Sequence, residues 1–285
     1  MIKSVNERVW AFDLEWVPDP LAARLLHGVS DPAASPRQLV EVMWREGGAS
    51  EEDPTPFLKT AVCRIVSIAA VERREKSASG DASLALLSLP RNPANADEAR
   101  EASLVSTFLE AVGKHKPQLV GFSSQDSDLK ILLQRGVILG VQAASFAHRP
   151  DKPWEGVDYF ARASDWNVDI KEILGGWGKA VPSLHELAVQ SGIPGKMDVD
   201  GNDVAALWLD GRLAEIVAYN EYDALTTYLV WLRLAHFAGH FSQSAYQREQ
   251  ELVEALLERE SAAGRPHLVA YLDEWRRLRA AIGGR

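Results

Sequence analysis

The sequence predicts an α/β protein, in which a sheet interleaved with helices is followed by a helical C-terminal extension. Strand-like apolar runs alternate with helical patterns in the first part of the chain, and from residue 183 onward helical spacing dominates. The chain has 285 residues, of which 46% are hydrophobic, so it can bury a substantial core. We expect one domain over residues 1–238 and a helical extension over residues 239–285 packed on it.

Apolar runs and turn residues place the individual elements. Strands are predicted at residues 9–16, 61–71, 83–90, 118–124 and 167–170. The principal helices are predicted at residues 21–27, 37–45, 97–115, 128–139, 212–237, 242–263 and 266–282. Residues 18–60 form an insertion rich in Pro, Asp, Ala and Gly, residues 72–81 suit a hairpin connection, and residues 140–166 are expected to form a loop.

Composition limits the class of function. The formal net charge of −9 argues against a protein that coats nucleic acid through bulk positive charge, but it leaves room for an enzyme that holds one end of a strand. Cys63 is the single cysteine, which excludes an intrachain disulfide framework and fits a reducing compartment. No apolar run has the length of a membrane span and no secretory leader pattern is present, so we expect a cytoplasmic protein without a membrane partner.

Two carboxylates interrupt the first predicted strand. Alternate side chains of a strand share a face, so Asp13 and Glu15 point the same way, about 6–7 Å apart along the chain. Two like charges in an apolar strand are costly unless a cation or a proton compensates them. The alternative is a strand end that runs out into water, where both acids are hydrated.

Further acids occur at two later positions. Asp128 follows the fourth predicted strand and begins a helical pattern, so it is either a helix N-cap or, if Asp126 is the cap, a residue of the first turn. Tyr219 and Asp223 are four residues apart in a helical segment and therefore share one helix face. An ordinary amphipathic helix is the alternative for this pair. These elements can converge at one edge of a sheet.

The set Asp13-x-Glu15, Asp128 and Tyr219-x-x-x-Asp223 resembles the DEDD signature of the proofreading-type 3′–5′ exonuclease superfamily, in its tyrosine-bearing (DEDDy) branch. The sister branch has a histidine five positions before the last Asp, where this chain has Ala218. The resemblance implies an RNase H-like mixed β-sheet flanked by helices, and it makes residues 1–238 an exonuclease domain.

The resemblance covers about residues 9–234 and is closest to the bacterial predicted exonucleases related to the exonuclease domain of family-B DNA polymerases. It extends through Val168-Asp169-Ile170, Pro182-Ser183-Leu184-His185-Glu186-Leu187-Ala188, Gly192-Ile193-Pro194-Gly195-Lys196 and Asp203-Val204. The chain departs from the group at Ser123-Ser124 and Ser127, where an Asn-Gly pair and a Phe are typical, and at Trp16, where a small hydroxyl residue is usual. These departures flank the acids, so they bear on substrate contacts rather than on metal binding.

The resemblance implies two divalent metal ions, Mg²⁺ or Mn²⁺, which suit hard oxygen ligands. Asp13 would bridge both ions, with Glu15 and Asp223 on the first and Asp128 near the second. Tyr219 would position or deprotonate the attacking water. Substrate contacts are expected at four further positions of the motifs: Leu14, Trp16, Ser123 and Lys196.

Two of the expected contacts with nucleic acid have open alternatives. Lys196 contacts a phosphate or is a solvated loop lysine. Residues 148–162 interleave cations with aromatic rings, as a lip that stacks a single strand would, but a surface loop anchored by Trp154 and Phe160 is the alternative.

The sequence is therefore interpreted as a metal-dependent 3′–5′ exonuclease. Single-stranded DNA is favoured as the substrate by the resemblance alone. A 3′–5′ ribonuclease and a catalytically silent nucleic-acid-binding module on the same fold are the alternatives. Nothing in the sequence identifies a protein partner.

Overall fold

A five-stranded sheet forms the centre of the protein, with strand order β3-β2-β1-β4-β5. The computed structural model describes residues 1–75, 81–152, 154–161, 164–175, 178–197 and 201–283. The strands are β1 (Arg8–Pro18), β2 (Cys63–Glu75), β3 (Ala82–Leu89), β4 (Gln118–Gly121) and β5 (Asn167–Asp169). β1 pairs antiparallel with β2 and parallel with β4, so the sheet is mixed.

Helices cover both faces of this sheet. They are α1 (Pro20–His27), α2 (Pro36–Glu46), α3 (Glu101–His115), α4 (Asp128–Ile138), α5 (Ala144–Ala147), α6 (Ile170–Leu174), α7 (Leu184–Gln190), α8 (Val204–Leu209), α9 (Leu213–Phe237), α10 (Gln243–Ala262) and α11 (His267–Ile282). The predicted α/β class with C-terminal helices is confirmed, and the arrangement is an RNase H-like fold.

The side chains of β1 point alternately to the two faces of the sheet, and each face has its own part of the hydrophobic core. Val9 and Ala11 face α9 and the C-terminal helices. Trp10, Phe12 and Leu14 face α3 and α4 on the other side of the sheet. A strand with two apolar faces must lie at the centre of a sheet covered by helices on both sides, as β1 does.

The C-terminal helices are tied to the sheet by buried polar groups. Arg73 of β2 donates to Glu249 of α10 at 2.7 Å, and both side chains are almost completely buried. The outer edge of β3 is also covered, because Arg259 and Arg265 donate to the carbonyl oxygens of Leu84 and Leu86. These contacts satisfy backbone groups that an open sheet edge would leave unpaired.

Several predicted boundaries differ from the structure. β4 ends at Gly121 rather than at residue 124, because Ser123 has a positive φ of 67° and the chain turns there. The predicted 140–166 loop contains the short helix α5. Residues 76–80, within the predicted hairpin connection, lie outside the described residues.

Candidate active site

Three carboxylates meet where β1 passes under α9. Asp13 and Glu15 lie on the same face of β1, and Asp223 approaches them from α9, which packs on β1 and β2. Each of the three offers an oxygen within 4.8 Å of the others. β1 continues to Pro18, so the acids lie within the strand and not at a solvent-exposed end. The hydrated strand end is therefore the wrong alternative for Asp13 and Glu15.

Asp128 lies beside this cluster in the wall of the same cavity. Asp128 is the first residue of α4, so it lies in the first turn, as the second alternative held, but the N-cap is Ser127 and neither Asp126 nor Asp128. The buried carboxylate of Asp128 instead accepts hydrogen bonds from its own backbone N–H and from that of Leu14. The pairing of β1 with β4 ends at Ala11 and Val120, so the Leu14 N–H that donates to Asp128 lies beyond the last pair of these two strands.

The loop before Asp128 is held by Asp169. The carboxylate of Asp169 accepts from the N–H groups of Ser123 and Gln125, both at 3.0 Å. A serine can therefore adopt the left-handed conformation of residue 123, where Gly or Asn is more common, because these bonds define the turn. Arg135 anchors the other end of α4 through buried ion pairs with Asp19 and Glu101.

Burial and mutual repulsion raise the pKa values of these acids. Burial raises the pKa of Asp13 well above its ordinary value, and the charges of Asp128, Asp223 and Glu15 raise it further. The pKa of Glu15 is raised in the same way, by burial and then by Asp223 and Asp128. Burial raises the pKa of Asp128 to about 7, although its two backbone hydrogen bonds oppose this. Bound cations would offset the cost of keeping several buried carboxylates ionised next to one another.

Tyr219 lies one turn before Asp223 on α9, with its ring buried against Val17 and Val204. Its hydroxyl is hydrogen-bonded to Asp223. Burial, followed by the nearby charges of Asp223, Glu15 and Asp13, raises the pKa of this phenol far above its ordinary value. The hydroxyl therefore keeps its proton at neutral pH and acts as a donor.

The sequence did not identify Asn220 as a residue of the site. It is completely buried, and its Nδ2 donates to Asp13 Oδ2 at 3.3 Å, while its Oδ1 has no partner. Asp169 was missed as well, although it orients the loop that carries Asp128. Neither residue has a distinctive spacing; Asn220 follows Tyr219 directly, and Asp169 belongs to the stretch Val168-Asp169-Ile170 that carries part of the resemblance.

The cluster opens into a cavity of about 380 Å³. Asp13, Glu15, Asp128 and Asp223 contribute its acidic part. The remaining lining is mainly apolar and comes largely from the 18–60 insertion and the end of β1: Trp16, Pro18, Trp44, Pro56, Phe57 and Leu58. The insertion therefore forms a wall of the candidate site.

The four expected substrate contacts have different positions. Leu14 and Trp16 line the cavity, although the side chain of Leu14 is buried on the opposite face of β1 from the acids. Ser123 is not among the residues described as lining the cavity, and its Oγ accepts from Lys171 Nζ at 3.4 Å. Lys196 is exposed and lines a smaller pocket with His185, Tyr219 and Asp223.

The aromatic loop around residue 159 does not form a lip at this site. The Tyr159 hydroxyl donates to the carbonyl of Pro117, just before β4, whereas the acids lie beyond the opposite end of that strand. Tyr159 and Phe160 pack on Phe146, so the anchored surface loop is the correct alternative, but Trp154 is exposed and is not an anchor. Arg162 lies outside the described residues.

The raised pKa of Asp128 predicts a pH effect on stability when metal is removed by a chelator. The folded-state pKa of about 7 exceeds the ordinary value of 3.8, so this group's contribution to stability is present at low pH and is lost as the pH rises through 7. For Asp128→Asn we expect the melting temperature to fall less than for wild type between pH 5 and 7. The difference between the two proteins grows by at most about 1.4 kcal/mol per pH unit below pH 7 and stops growing well above it.

Melting curves at pH 5, 6 and 7 in EDTA test this expectation. Asp126→Asn is the matched control, because Asp126 is exposed two residues earlier in the chain. Parallel pH dependences for wild type and Asp128→Asn would contradict the assignment.

The fold and the site together define a class of protein, an RNase H-like domain with clustered carboxylates at its sheet. A family model described as "Predicted 3'-5' exonuclease related to the exonuclease domain of PolB" matches residues 55–275. The chain belongs to this family, as its resemblance predicted. Asp128, Tyr219 and Asp223 lie within the matched range, whereas Asp13, Glu15 and most of the 18–60 insertion precede it. No match to a curated protein was found.

None of the helices in the described ranges combines the length and the apolar character that crossing a bilayer requires.

Proposed function

We propose that the protein is a metal-dependent 3′–5′ exonuclease of the tyrosine-bearing DEDD branch, acting on single-stranded DNA. The observation that carries the proposal is the convergence of Asp13, Glu15 and Asp223 oxygens within 4.8 Å. It occurs in a chain whose family is one of predicted 3′–5′ exonucleases. We assign the activity to residues 1–238, with residues 239–285 as a supporting extension.

The residues of the cluster fit a pair of Mg²⁺ or Mn²⁺ ions. All four acids offer hard oxygen ligands, and the raised pKa values of Asp13, Glu15 and Asp128 reflect an accumulation of negative charge that cations would neutralise. We assign Asp13 to both ions, Glu15 and Asp223 to one, and Asp128 to the other. Ions held there would supply positive charge at the leaving 3′ oxygen and lower the pKa of water.

Tyr219 positions the attacking water in this proposal. Its hydroxyl is hydrogen-bonded to Asp223, so it lies at the edge of the acid cluster and not within it. Because the raised pKa keeps the proton on the phenol, orientation of the water is favoured over its deprotonation by Tyr219. Lys196 lines a pocket with Tyr219 and Asp223, and this position supports a contact between its ammonium group and a phosphate of the strand.

DNA is favoured over RNA because the family is related to the exonuclease domain of a DNA polymerase. The altered segment 123–127 does not favour a silent binding module, since it still places Asp128 beside the cluster. A ribonuclease is therefore the alternative that an experiment must separate from the proposal.

Strands labelled at either end test the proposal. With Mg²⁺ or Mn²⁺, 3′-labelled DNA is expected to release its label as a mononucleotide at once, and 5′-labelled DNA to shorten stepwise. A chelator is expected to stop both reactions. Matched RNA strands identify the sugar preference, and an absence of cleavage of every strand, or cleavage at internal positions, would refute the proposal.

A further inference from the structure

A further pocket, of about 610 Å³, lies at the end of the sheet away from the acids. The parallel strands β1, β4 and β5 begin at this end, and the antiparallel strand β2 finishes there. Arg8, which lines the pocket, precedes Asp13 in β1 by five residues, or about 17 Å of strand. The pocket is therefore separate from the candidate active site.

Two arginines of the pocket lie opposite each other in the sheet. Arg8 of β1 is the antiparallel partner of Arg74 of β2. Residues paired in this way have Cβ atoms about 4.5–5.5 Å apart, and like charges at such positions destabilise a sheet. Glu72 contacts both guanidinium groups, since its Oε1 lies 3.3 Å from one and 3.1 Å from the other. One carboxylate balances one of the two charges, so a bound anion would offset the charge that remains.

The C-terminal end of α3 brings further positive charge to this place. Lys114 and His115 lie in its last turn, and Lys116 is its C-cap. Burial lowers the pKa of His115, and the charges of Arg8 and Lys114 lower it further. Glu72 opposes these two cations without outweighing them. The electrostatic potential at His115 is therefore positive, although the whole chain has a net charge of −9.

The helix dipole explains only part of this cluster. Cations are favourable at a helix C-terminus, so Lys114 and Lys116 need no ligand to account for them. The dipole does not account for Arg8 and Arg74, which lie on neighbouring strands. Their opposition in the sheet is the feature that calls for an anion.

The carboxylates that line the pocket do not cancel its charge. Glu75 follows Arg74 in β2 and so points to the opposite face of the sheet, where it is ion-paired with Arg73 at 3.0 Å. Glu7 also lines the pocket. Even with Glu7 counted, the cations of the two strands and of α3 outnumber the carboxylates that remain.

Trp166 adds an aromatic ring on the same face of the sheet as Arg8. It directly precedes β5, which lies two strands from β1, or about 9–10 Å across the sheet. Its side chain packs on the part of the core that contains Trp10, and Arg8 shares the face of Trp10 by strand alternation. The pocket therefore has cations on one side and a flat ring on the other.

We propose that this pocket binds a nucleoside monophosphate, with the phosphate held by Arg8 and Arg74 and the base in contact with Trp166. Guanidinium groups present N–H donors in a planar fork that fits phosphate oxygens. Aromatic side chains offer every nucleobase a surface for stacking. The volume of about 610 Å³ lies in the range of about 300–1,000 Å³ of small-molecule sites. This inference goes beyond the proposed hydrolysis and does not depend on it.

Calorimetry in EDTA tests the inference with deoxyadenosine 5′-monophosphate, inorganic phosphate and deoxyadenosine. With divalent ions chelated, the acids of the candidate active site repel a phosphate, so binding there is not counted. Wild type is expected to bind the nucleotide and not the uncharged nucleoside. The nucleotide is expected to bind about fivefold or more tightly than inorganic phosphate, the smallest effect of one base–aromatic stack.

Arg74→Gln is expected to weaken nucleotide binding by about tenfold or more, the effect of losing one charge-assisted hydrogen bond. Its matched control is Arg276→Gln, which should leave the affinity unchanged. Arg74 and Arg276 are 50% and 51% exposed, and each is ion-paired with a glutamate. Lys116→Asn is a second variant that should weaken binding, because asparagine tolerates the left-handed backbone of residue 116, where φ is 47°. Melting temperatures establish that each variant is folded.

Three results would overturn the inference. They are an absence of nucleotide binding by wild type, equal affinities for the nucleotide and inorganic phosphate, and undiminished binding by both Arg74→Gln and Lys116→Asn. Binding of a single-stranded oligonucleotide without any binding of the mononucleotide would also contradict it, in favour of a nucleic-acid surface. A protein that binds the nucleotide in EDTA but cleaves no strand would support this inference and refute the proposed function, so the two fail separately.

Discussion

Asp13→Asn is expected to abolish strand hydrolysis and to leave the fold intact. Asp13 is the acid whose pKa responds to all three of the others, Asp128, Asp223 and Glu15, so it lies at the electrostatic centre of the cluster. An uncharged amide at this position would remove the ligand assigned to both ions. Because such ions supply several kcal/mol of transition-state stabilisation, we expect the rate to fall by about 10³-fold or more.

The stability of Asp13→Asn should change little or rise slightly in the absence of metal. The substitution keeps the shape of the side chain, and the new Oδ1 can still accept from Asn220 Nδ2. It also removes one of several mutually repelling charges. The structure thus favours asparagine over alanine as the test, since alanine would leave the buried Nδ2 of Asn220 without its partner.

Single-turnover hydrolysis with Mg²⁺, calorimetric Mn²⁺ titration and melting curves measure these effects together. Asp165→Asn is the matched control, because Asp165 lies just before β5, at the end of the sheet away from the acids. Two outcomes would contradict the role proposed for Asp13: a hydrolysis rate of Asp13→Asn within tenfold of wild type, or a variant that does not fold.

The sequence predicted the parts of the site that depend on local periodicity. Alternation in β1 is sufficient to place Asp13 and Glu15 on one face, and helical spacing is sufficient to pair Tyr219 with Asp223. That these two pairs meet depends on the packing of α9 on β1, across about 200 residues of sequence. The resemblance supplied this step, since no local pattern in the sequence contains it.

The features that the sequence did not predict arise from tertiary contacts. The apolar run of β4 continues beyond Gly121, but the bonds from Ser123 and Gln125 to Asp169 end the strand earlier. The insertion was recognised by its composition alone. Its role as a cavity wall depends on how α2 and the segment before β2 pack beside β1, which composition does not encode.

Tyr219→Phe separates an exonuclease mechanism from a simple metal site. The substitution removes one oxygen and leaves the ring packed against Val17 and Val204. The four acids remain, so metal affinity should be nearly unchanged. If the hydroxyl orients the attacking water, turnover should fall by about 10²–10⁴-fold, or about 3–5 kcal/mol of barrier.

Tyr222→Phe is the matched control on the same helix. Its hydroxyl donates to the carbonyl of His267 at 2.8 Å, and its ring stacks on Tyr271. Removal of this hydroxyl should therefore cost about 1 kcal/mol of stability without lowering the rate. Single-turnover hydrolysis and melting temperature, measured for both variants, distinguish the two roles. A rate for Tyr219→Phe within about threefold of wild type, under 1 kcal/mol of barrier, would exclude Tyr219 from the mechanism and count against the tyrosine branch.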